Sequence, residues 1–469
     1  MRGRICRPRE VGVCLLGALA LSAPLNAQPC DPSWTAMGSG VSSVVRAFTL
    51  FDFDQAGPQE PLLVVGGFFT TAGGTPAGRV ATWNGSNWAA LGLGMNSEIR
   101  AFAEFDEDLG GPNPPRLFAA GFFTLADGLP CNHVARWNGA AWTDVGGGVG
   151  GFSDATATSL VVFDDDDAGP NPPALYVGGL FNLAGSTPVN NIAKWDGASW
   201  SDVGGGVAGT VTSLTVFDPD GSGTNRSQLI VGGSLFPQPN IVRWDGDAWT
   251  PVGSGTNATV SALHVFDLDA AGANPPRLIV AGSFTNASGV AVEGIAVWDG
   301  QNWSAFPGGG TTGSIGSLTT FDPDGPDAEP ANLIAGGSFT TIGGVTVNNI
   351  GRWNGTTWAD LDGGTNSLVG AVFGLQGGLA GSPPTLFAGG FFSTAGGVAA
   401  ARVAAWVGCA TPPCPGDFDG DGAVGLGDLA LLLANYGVGA PAAGDIDGDS
   451  DVDLSDLTLF LSLYGSTCA

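Results

Sequence analysis

The sequence predicts an all-β protein, a seven-bladed β-propeller of four-stranded blades closed through a split blade, followed by a small α-helical, calcium-binding domain. Three observations predict it. The 14 tryptophans fall into two interleaved series, each recurring about every fifty residues, which marks a repeat array. One series is Trp83, Trp137, Trp195, Trp244, Trp298, Trp353 and Trp406; the other is Trp34, Trp88, Trp142, Trp200, Trp249, Trp303 and Trp358. Second, six pairs are complete, whereas Trp406 near the end of the array and Trp34 near its start each lack a partner. A ring whose last blade takes strands from both ends of the chain requires that split. Third, charged residues are only 12% of the chain against 79 Gly and 31 Pro, a profile of many short strands joined by tight turns.

At the N-terminus, Arg2, Arg4, Arg7 and Arg9 precede an apolar run from Val11 to Ala23, and Leu25-Asn26-Ala27 suits cleavage before Gln28. Residues 1–27 therefore read as a signal peptide, and the run is too short to span a bilayer. The mature chain is expected to be secreted, extracellular or at the cell surface, with no membrane span. Its formal charge of −28, made more negative by loss of those arginines, argues against nucleic acid and anionic membranes as partners.

The propeller is expected over 28–410. One repeat unit has a β-rich segment at 260–266, Asp267-Leu268-Asp269, a turn through Pro275-Pro276, a second segment at 277–284 and a Gly-containing loop. Segments at 295–298 and 303–306 follow, joined by Asp299-Gly300. Four such segments make one antiparallel meander. Each complete Trp pair encloses Asn or Asp followed by Gly, at Asn84, Asn138, Asp196, Asp245, Asp299 and Asn354. That dipeptide predicts a type I′ hairpin with positive φ at both central residues. A Gly pair closes the second segment at Gly66-Gly67, Gly178-Gly179, Gly232-Gly233, Gly336-Gly337 and Gly389-Gly390, with Ala120-Gly121 and Ala281-Gly282 elsewhere. This order resembles kelch-like propeller repeats, and still more the Trp-Asp-Gly repeats in extracellular regions of fungal cell-cortex marker proteins.

After a short linker at 411–415, residues 416–469 hold two acidic loops. They are Asp417-Phe-Asp419-Gly-Asp421-Gly-Ala423 ending at Asp428, and Asp445-Ile-Asp447-Gly-Asp449-Ser-Asp451 ending at Asp456. Carboxylates at loop positions 1, 3 and 5, a backbone carbonyl at position 7 and a carboxylate at position 12 converge on one Ca²⁺. The first site is thus Asp417, Asp419, Asp421, Ala423 and Asp428, and the second Asp445, Asp447, Asp449, Asp451 and Asp456. Each loop runs into an apolar helix. Loop plus exiting helix, twice, resembles a type I dockerin module over 416–465. The resemblance implies calcium-dependent folding and docking onto a cohesin-like protein or cell-surface scaffold. Positions that help choose a partner in cellulosomal dockerins hold Leu426-Gly427 and Leu454-Ser455 here.

Cleavage of the signal peptide leaves Cys30, Cys131, Cys409, Cys414 and Cys468, an odd number in a compartment that permits disulfides. Counting from the Trp repeat, Cys30 and Cys409 take hairpin places two residues apart, within the roughly 4.4–6.8 Å Cα separation a disulfide spans. A Cys30–Cys409 bridge is expected to replace the covalent turn that the split blade lacks. Cys414–Cys468 is the second pairing, leaving Cys131 free.

Asp52, Asp106, Asp164, Asp218, Asp267 and Asp322 each open a turn after the first strand of a blade. Two readings stand side by side: Asp as a turn-former and a ring of calcium sites. The tryptophans read as inter-blade core ahead of sugar-stacking platforms. His133 and His264 stand alone and read as structural. Tyr176 is the only tyrosine of the propeller, which argues against a copper-radical oxidase. No serine-elbow, HExxH, P-loop or dinucleotide fingerprint rises above chance. The expected function is a secreted, non-catalytic binding or surface-structural propeller tethered by its calcium module, with a glycan as candidate ligand. The alternative is a polysaccharide-active glycoside hydrolase working through a carboxylate pair.

Overall fold

The computed structural model describes residues 32–408, except 56, 112, 168, 170, 222–225, 238, 270, 271, 273, 324–329, 378, 380 and 381. In the tail it describes 416–418, 423–437, 444, 446 and 451–466.

Seven four-stranded antiparallel sheets carry the larger part. Sheet 1 runs outward through Val45–Phe51, Leu62–Gly67, Val80–Trp83 and Trp88–Ala90. The first strands of sheets 2 to 6 are Ile99–Phe105, Thr156–Phe163, Gly209–Phe217, Val260–Phe266 and Ser314–Phe321. Sheet 7 is composite: Val369–Leu375, Thr385–Gly390 and Val403–Val407 come from the end of the array, and Ser33–Ala36 from its beginning. In that seam Trp34 lies opposite Trp406. The first strands touch one another in cyclic order, and that of sheet 7 touches that of sheet 1. A ring of sheets closed in this way is a β-propeller, an arrangement that leaves only short sheet edges.

The repeated residues hold neighbouring sheets together. A Cβ at Gly66 would come within 2.7 Å of the Phe102 ring of sheet 2, and one at Gly389 within 2.5 Å of Val45 of sheet 1. The first glycine of the pair thus makes room for the inner strand of the next sheet. The outer tryptophan donates backwards: Trp34 Nε1 to Leu361 O at 2.8 Å, Trp142 to Leu91 O at 3.0 Å, Trp200 to Val145 O at 2.9 Å and Trp303 to Val252 O at 3.0 Å. The core reading of the tryptophans therefore holds for these buried indoles.

Two local expectations change. In the Trp hairpins only glycine has positive φ, for instance Gly85 at 94°, and Asn84 does not. Asn84 Oδ1 instead accepts from the N–H groups of Ser86 and Asn87, at 3.0 and 2.8 Å. The side chain takes over turn formation in a four-residue connection, so the type I′ geometry is not needed. The Gly-containing loops also carry two-residue hairpins, such as Thr71–Ala72 with Thr75–Pro76, too short to leave a periodic signal.

In the tail, α1 (Leu426–Ala434) and α2 (Leu454–Leu463) each follow an acidic loop; among the described residues no helix precedes the first loop and only α1 precedes the second. Val424, Leu432, Val452 and Phe460 are buried together, with Phe418 stacked on Phe460 at 6.2 Å. No helix among the described residues is long and apolar enough to cross a membrane.

Candidate functional site

Of the expected calcium ligands, Asp417, Ala423, Asp428, Asp451 and Asp456 are described; Asp419, Asp421, Asp445, Asp447 and Asp449 lie outside the described residues. Asp428 and Asp456 are fully buried. Asp428 accepts from Phe418 N–H at 2.6 Å and Gly425 N–H at 2.7 Å, and Asp456 accepts from Ile446 N–H at 2.7 Å and Asp453 N–H at 2.8 Å. Position 12 of each loop is therefore drawn over the start of its own loop while capping the helix that leaves it. Residues 409–469 contain no Lys, Arg or His, so the tail offers these carboxylates no cationic side chain of its own. Ligand oxygens of Asp451, Asp453 and Asp456 lie within 4.8 Å of one another. Such a donor set suits a hard divalent cation. Asp453, at position 9, was missed by the sequence reasoning; its Oδ1 also caps α2 by accepting from Ser455 N–H at 2.6 Å.

The Asp turns behave as turn-formers. Asp52 Oδ1 accepts from Asp54 N–H at 3.1 Å, and Asp106 accepts from the N–H groups of Asp108, Leu109 and Gly110. Among the described turns, Asp164, Asp165 and Asp166 bring carboxylate oxygens within 4.8 Å of one another. Asp165 already binds Lys194 Nζ at 2.7 Å and the Tyr176 hydroxyl at 3.0 Å.

The opposite end of the inner strands holds a site that sequence reasoning did not find. In every sheet the pairing of first and second strands slips by one residue near the start of the first strand. The skipped residues are Arg46, Arg100, Thr158, Thr212, Ser261, Gly316 and Gly370, and all seven line one cavity of about 460 Å³ at the ring axis. A β-bulge re-aims its side chain, and here it turns one residue per sheet toward the axis. The signal was available: in repeats aligned on tryptophan, the column after Val45, Ile99, Ala157, Val211, Val260, Ile315 and Val369 is the one that varies while its surroundings repeat.

The ring is chemically lopsided. Glu98 lies between two guanidiniums, 2.9 Å from Arg46 Nε and 3.3 Å from Arg100 Nε. Burial pulls Arg100 below the usual arginine value, opposed by Glu98, and the group remains a cation at neutral pH. Thr158 Oγ1 donates to Val211 O at 2.6 Å and Thr212 Oγ1 to Val260 O at 2.5 Å, each reaching the next sheet. Gly316 leaves open space where a side chain would stand.

Cys30, Cys409, Cys414 and Cys468 lie outside the described residues; the Cys131 thiol is free and buried. His264 is half-buried, with Nε2 2.8 Å from Thr320 Oγ1, in keeping with a structural role.

No protein-family model and no curated protein matches the chain. Among solved structures it is similar to BBS1N in complex with ARL6DN soaked with lead, at 12% identity and TM-score 0.46 over 76% of this chain and 93% of that one. The mercury-soaked form of that complex gives 14% identity and TM-score 0.42 over 76% and 94%. For Sqt1 of Saccharomyces cerevisiae the values are 12% and 0.35 over 59% and 66%.

Proposed function

We propose that this is a secreted, non-catalytic binding protein: a kelch-like, seven-bladed propeller that takes a glycan at its axial mouth. A dockerin-like module tethers it to a cohesin-like protein or surface scaffold. The observation that carries the reading is the bulge ring. Seven sheets repeat the same tryptophans, glycines and turns, yet the residues aimed at the axis run from Arg46 and Arg100 through Thr158, Thr212 and Ser261 to Gly316 and Gly370. A repeated frame around a varied lining is how a propeller acquires a ligand preference without altering its fold. In the tail, Asp417, Asp419, Asp421, Ala423 and Asp428 hold one Ca²⁺ and Asp445, Asp447, Asp449, Asp451 and Asp456 a second. Buried Asp428 and Asp456 support that assignment.

One observation favours the glycoside hydrolase alternative. At the acidic end of the ring, partial desolvation and the nearby charge of Asp52 push the carboxyl of the solvent-exposed Glu104 above its ordinary value, the direction a general acid needs. A panel of neutral and acidic polysaccharides, assayed for binding and for new reducing ends with the calcium-loaded protein, separates the two. Binding without cleavage is expected. Release of reducing ends that Glu104→Gln abolishes would replace the binding reading by the hydrolase.

A further inference from the structure

Around the mouth of the axial cavity, one side of the ring differs from the rest. The residue after the Gly pair is aromatic in three adjacent sheets, Phe391 in sheet 7, Phe68 in sheet 1 and Phe122 in sheet 2, whereas sheets 4, 5 and 6 have Ser234, Ser283 and Ser338 there. Phe68 and Phe391 are 47% and 46% exposed. Each ring carries a guanidinium: Arg46 stands 5.3 Å from the Phe391 centroid, Arg79 4.7 Å from Phe68 and Arg100 4.6 Å from Phe122.

The backbone supplies a second, independent observation. The residue ahead of the third strand is left-handed in every sheet, and sheets 3, 4 and 6 use Asn191, Asn240 and Asn349, which suit that conformation. Sheets 1 and 7 instead place Arg79 at φ 71° and Arg402 at φ 69°. Both turn Nη1 onto backbone carbonyls, Arg79 donating to Phe69 O at 3.2 Å and Arg402 to Phe391 O at 2.5 Å and Phe392 O at 3.2 Å. An arginine kept where asparagine fits better is a strained choice, and strain of this kind gathers at binding sites.

We propose that this crescent over sheets 7, 1 and 2 docks an anionic polysaccharide. Guanidiniums take its carboxylate or sulfate groups, phenyl rings take the apolar faces of its sugars, and a chain end enters the axial cavity toward the hydroxyls of sheets 3 to 5. The proposal rests on the binding reading above and names its ligand class. The protein's negative charge does not forbid it. The Asp turns lie at the far end of inner strands about 20 Å long, beyond the Debye length of about 8 Å at physiological salt. A hydroxyl-rich, flat-faced ligand suits the threonines and phenyl rings better than an acidic peptide does.

The test uses the full, calcium-loaded protein in titration calorimetry against polygalacturonate, carrageenan, polyglutamate and neutral xyloglucan, with wild type and the double variant Arg79→Asn, Arg402→Asn. These asparagines are the residues of sheets 3, 4 and 6, so the melting temperature is expected to hold or rise. Binding of polygalacturonate or carrageenan, weakened at least tenfold in the variant, is expected; whichever polymer binds identifies carboxylate or sulfate as the group read. Polyglutamate bound as tightly as either would overturn the proposal in favour of an acidic protein partner. Xyloglucan bound alone and equally by both proteins would overturn it while leaving a glycan-binding propeller in place. Binding to none of the four overturns both.

Discussion

Trp34 and Trp406 stand opposite one another in antiparallel register, although they come from the two ends of the repeat array. The pair is the seam of the ring, and Trp34 adds a bond of 2.8 Å from Nε1 to Leu361 O of sheet 6. Deleting residues 28–40 removes the outer strand of sheet 7 and uncovers the edge at Val403–Val407. An unpaired edge recruits other chains. Aggregation on expression or light scattering is therefore expected, not a modest loss of melting temperature; a monomeric, cooperatively melting deletion protein contradicts it.

The two tryptophan series differ in what their indoles do. Trp303 Nε1 donates to Val252 O, whereas Trp298 Nε1 in the same sheet is buried without a hydrogen-bond partner. Replacing Trp303 by Phe leaves Val252 O with the Gly255 N–H alone, at 3.0 Å, while replacing Trp298 by Phe relieves a buried donor. The first should cost about 1 kcal/mol more than the second. Denaturant midpoints of the two variants measure the difference, and equal midpoints refute the assigned roles.

Burial lowers His264 from 6.5 to about 4. The unfolded state then binds a proton between roughly pH 6.5 and 4 that the native state refuses, so stability falls as the solution is acidified through that window. The contribution approaches an upper limit of about 3 kcal/mol. His264→Asn should flatten the stability profile between those pH values. An unchanged slope in the variant means that His264 is not held neutral.

Ser33 pairs with Val407 at the end of the seam, three residues from Cys30 and two from Cys409 along the sequence. A disulfide between those cysteines would close almost the whole array, contributing about 6 kcal/mol in the chain-entropy model. Non-reducing peptide mapping should recover Cys30 linked to Cys409. Burial pushes the Cys131 thiol up to about 12, so it should resist alkylation at neutral pH until the protein unfolds. A Cys409–Cys414 peptide, or Cys30 recovered as a free thiol, counts against the seam bridge.

Much of the frame could be read in the sequence because its determinants are local or strictly periodic. The split Trp34 and Trp406, the Asn84-Gly85 type of turn and the Gly66-Gly67 type of close approach each leave a residue-level mark. The axial lining could not be read in the same way. Arg46 and Arg100 reach the axis through a one-residue slip in strand pairing, and alternation alone does not locate such a slip. Arg79 and Arg402 look like ordinary surface cations until their left-handed backbone is seen. Asp453 was passed over because position 9 of a calcium loop often acts through water.

If the varied bulge ring, not the repeated frame, takes the ligand, replacing its charged cluster weakens binding without disturbing the fold. Arg46→Thr, Glu98→Thr and Arg100→Thr together give sheets 1 and 2 the threonines found in sheets 3 and 4, as at Thr156, Thr158, Thr210 and Thr212. The exchange removes the whole Arg–Glu–Arg cluster and leaves no buried charge alone. Titration calorimetry of the triple variant against the polysaccharide bound by the wild type is the most direct measurement. An unchanged melting profile with binding weakened at least tenfold is expected; a folded triple variant that binds as tightly as the wild type would refute the binding role of the ring.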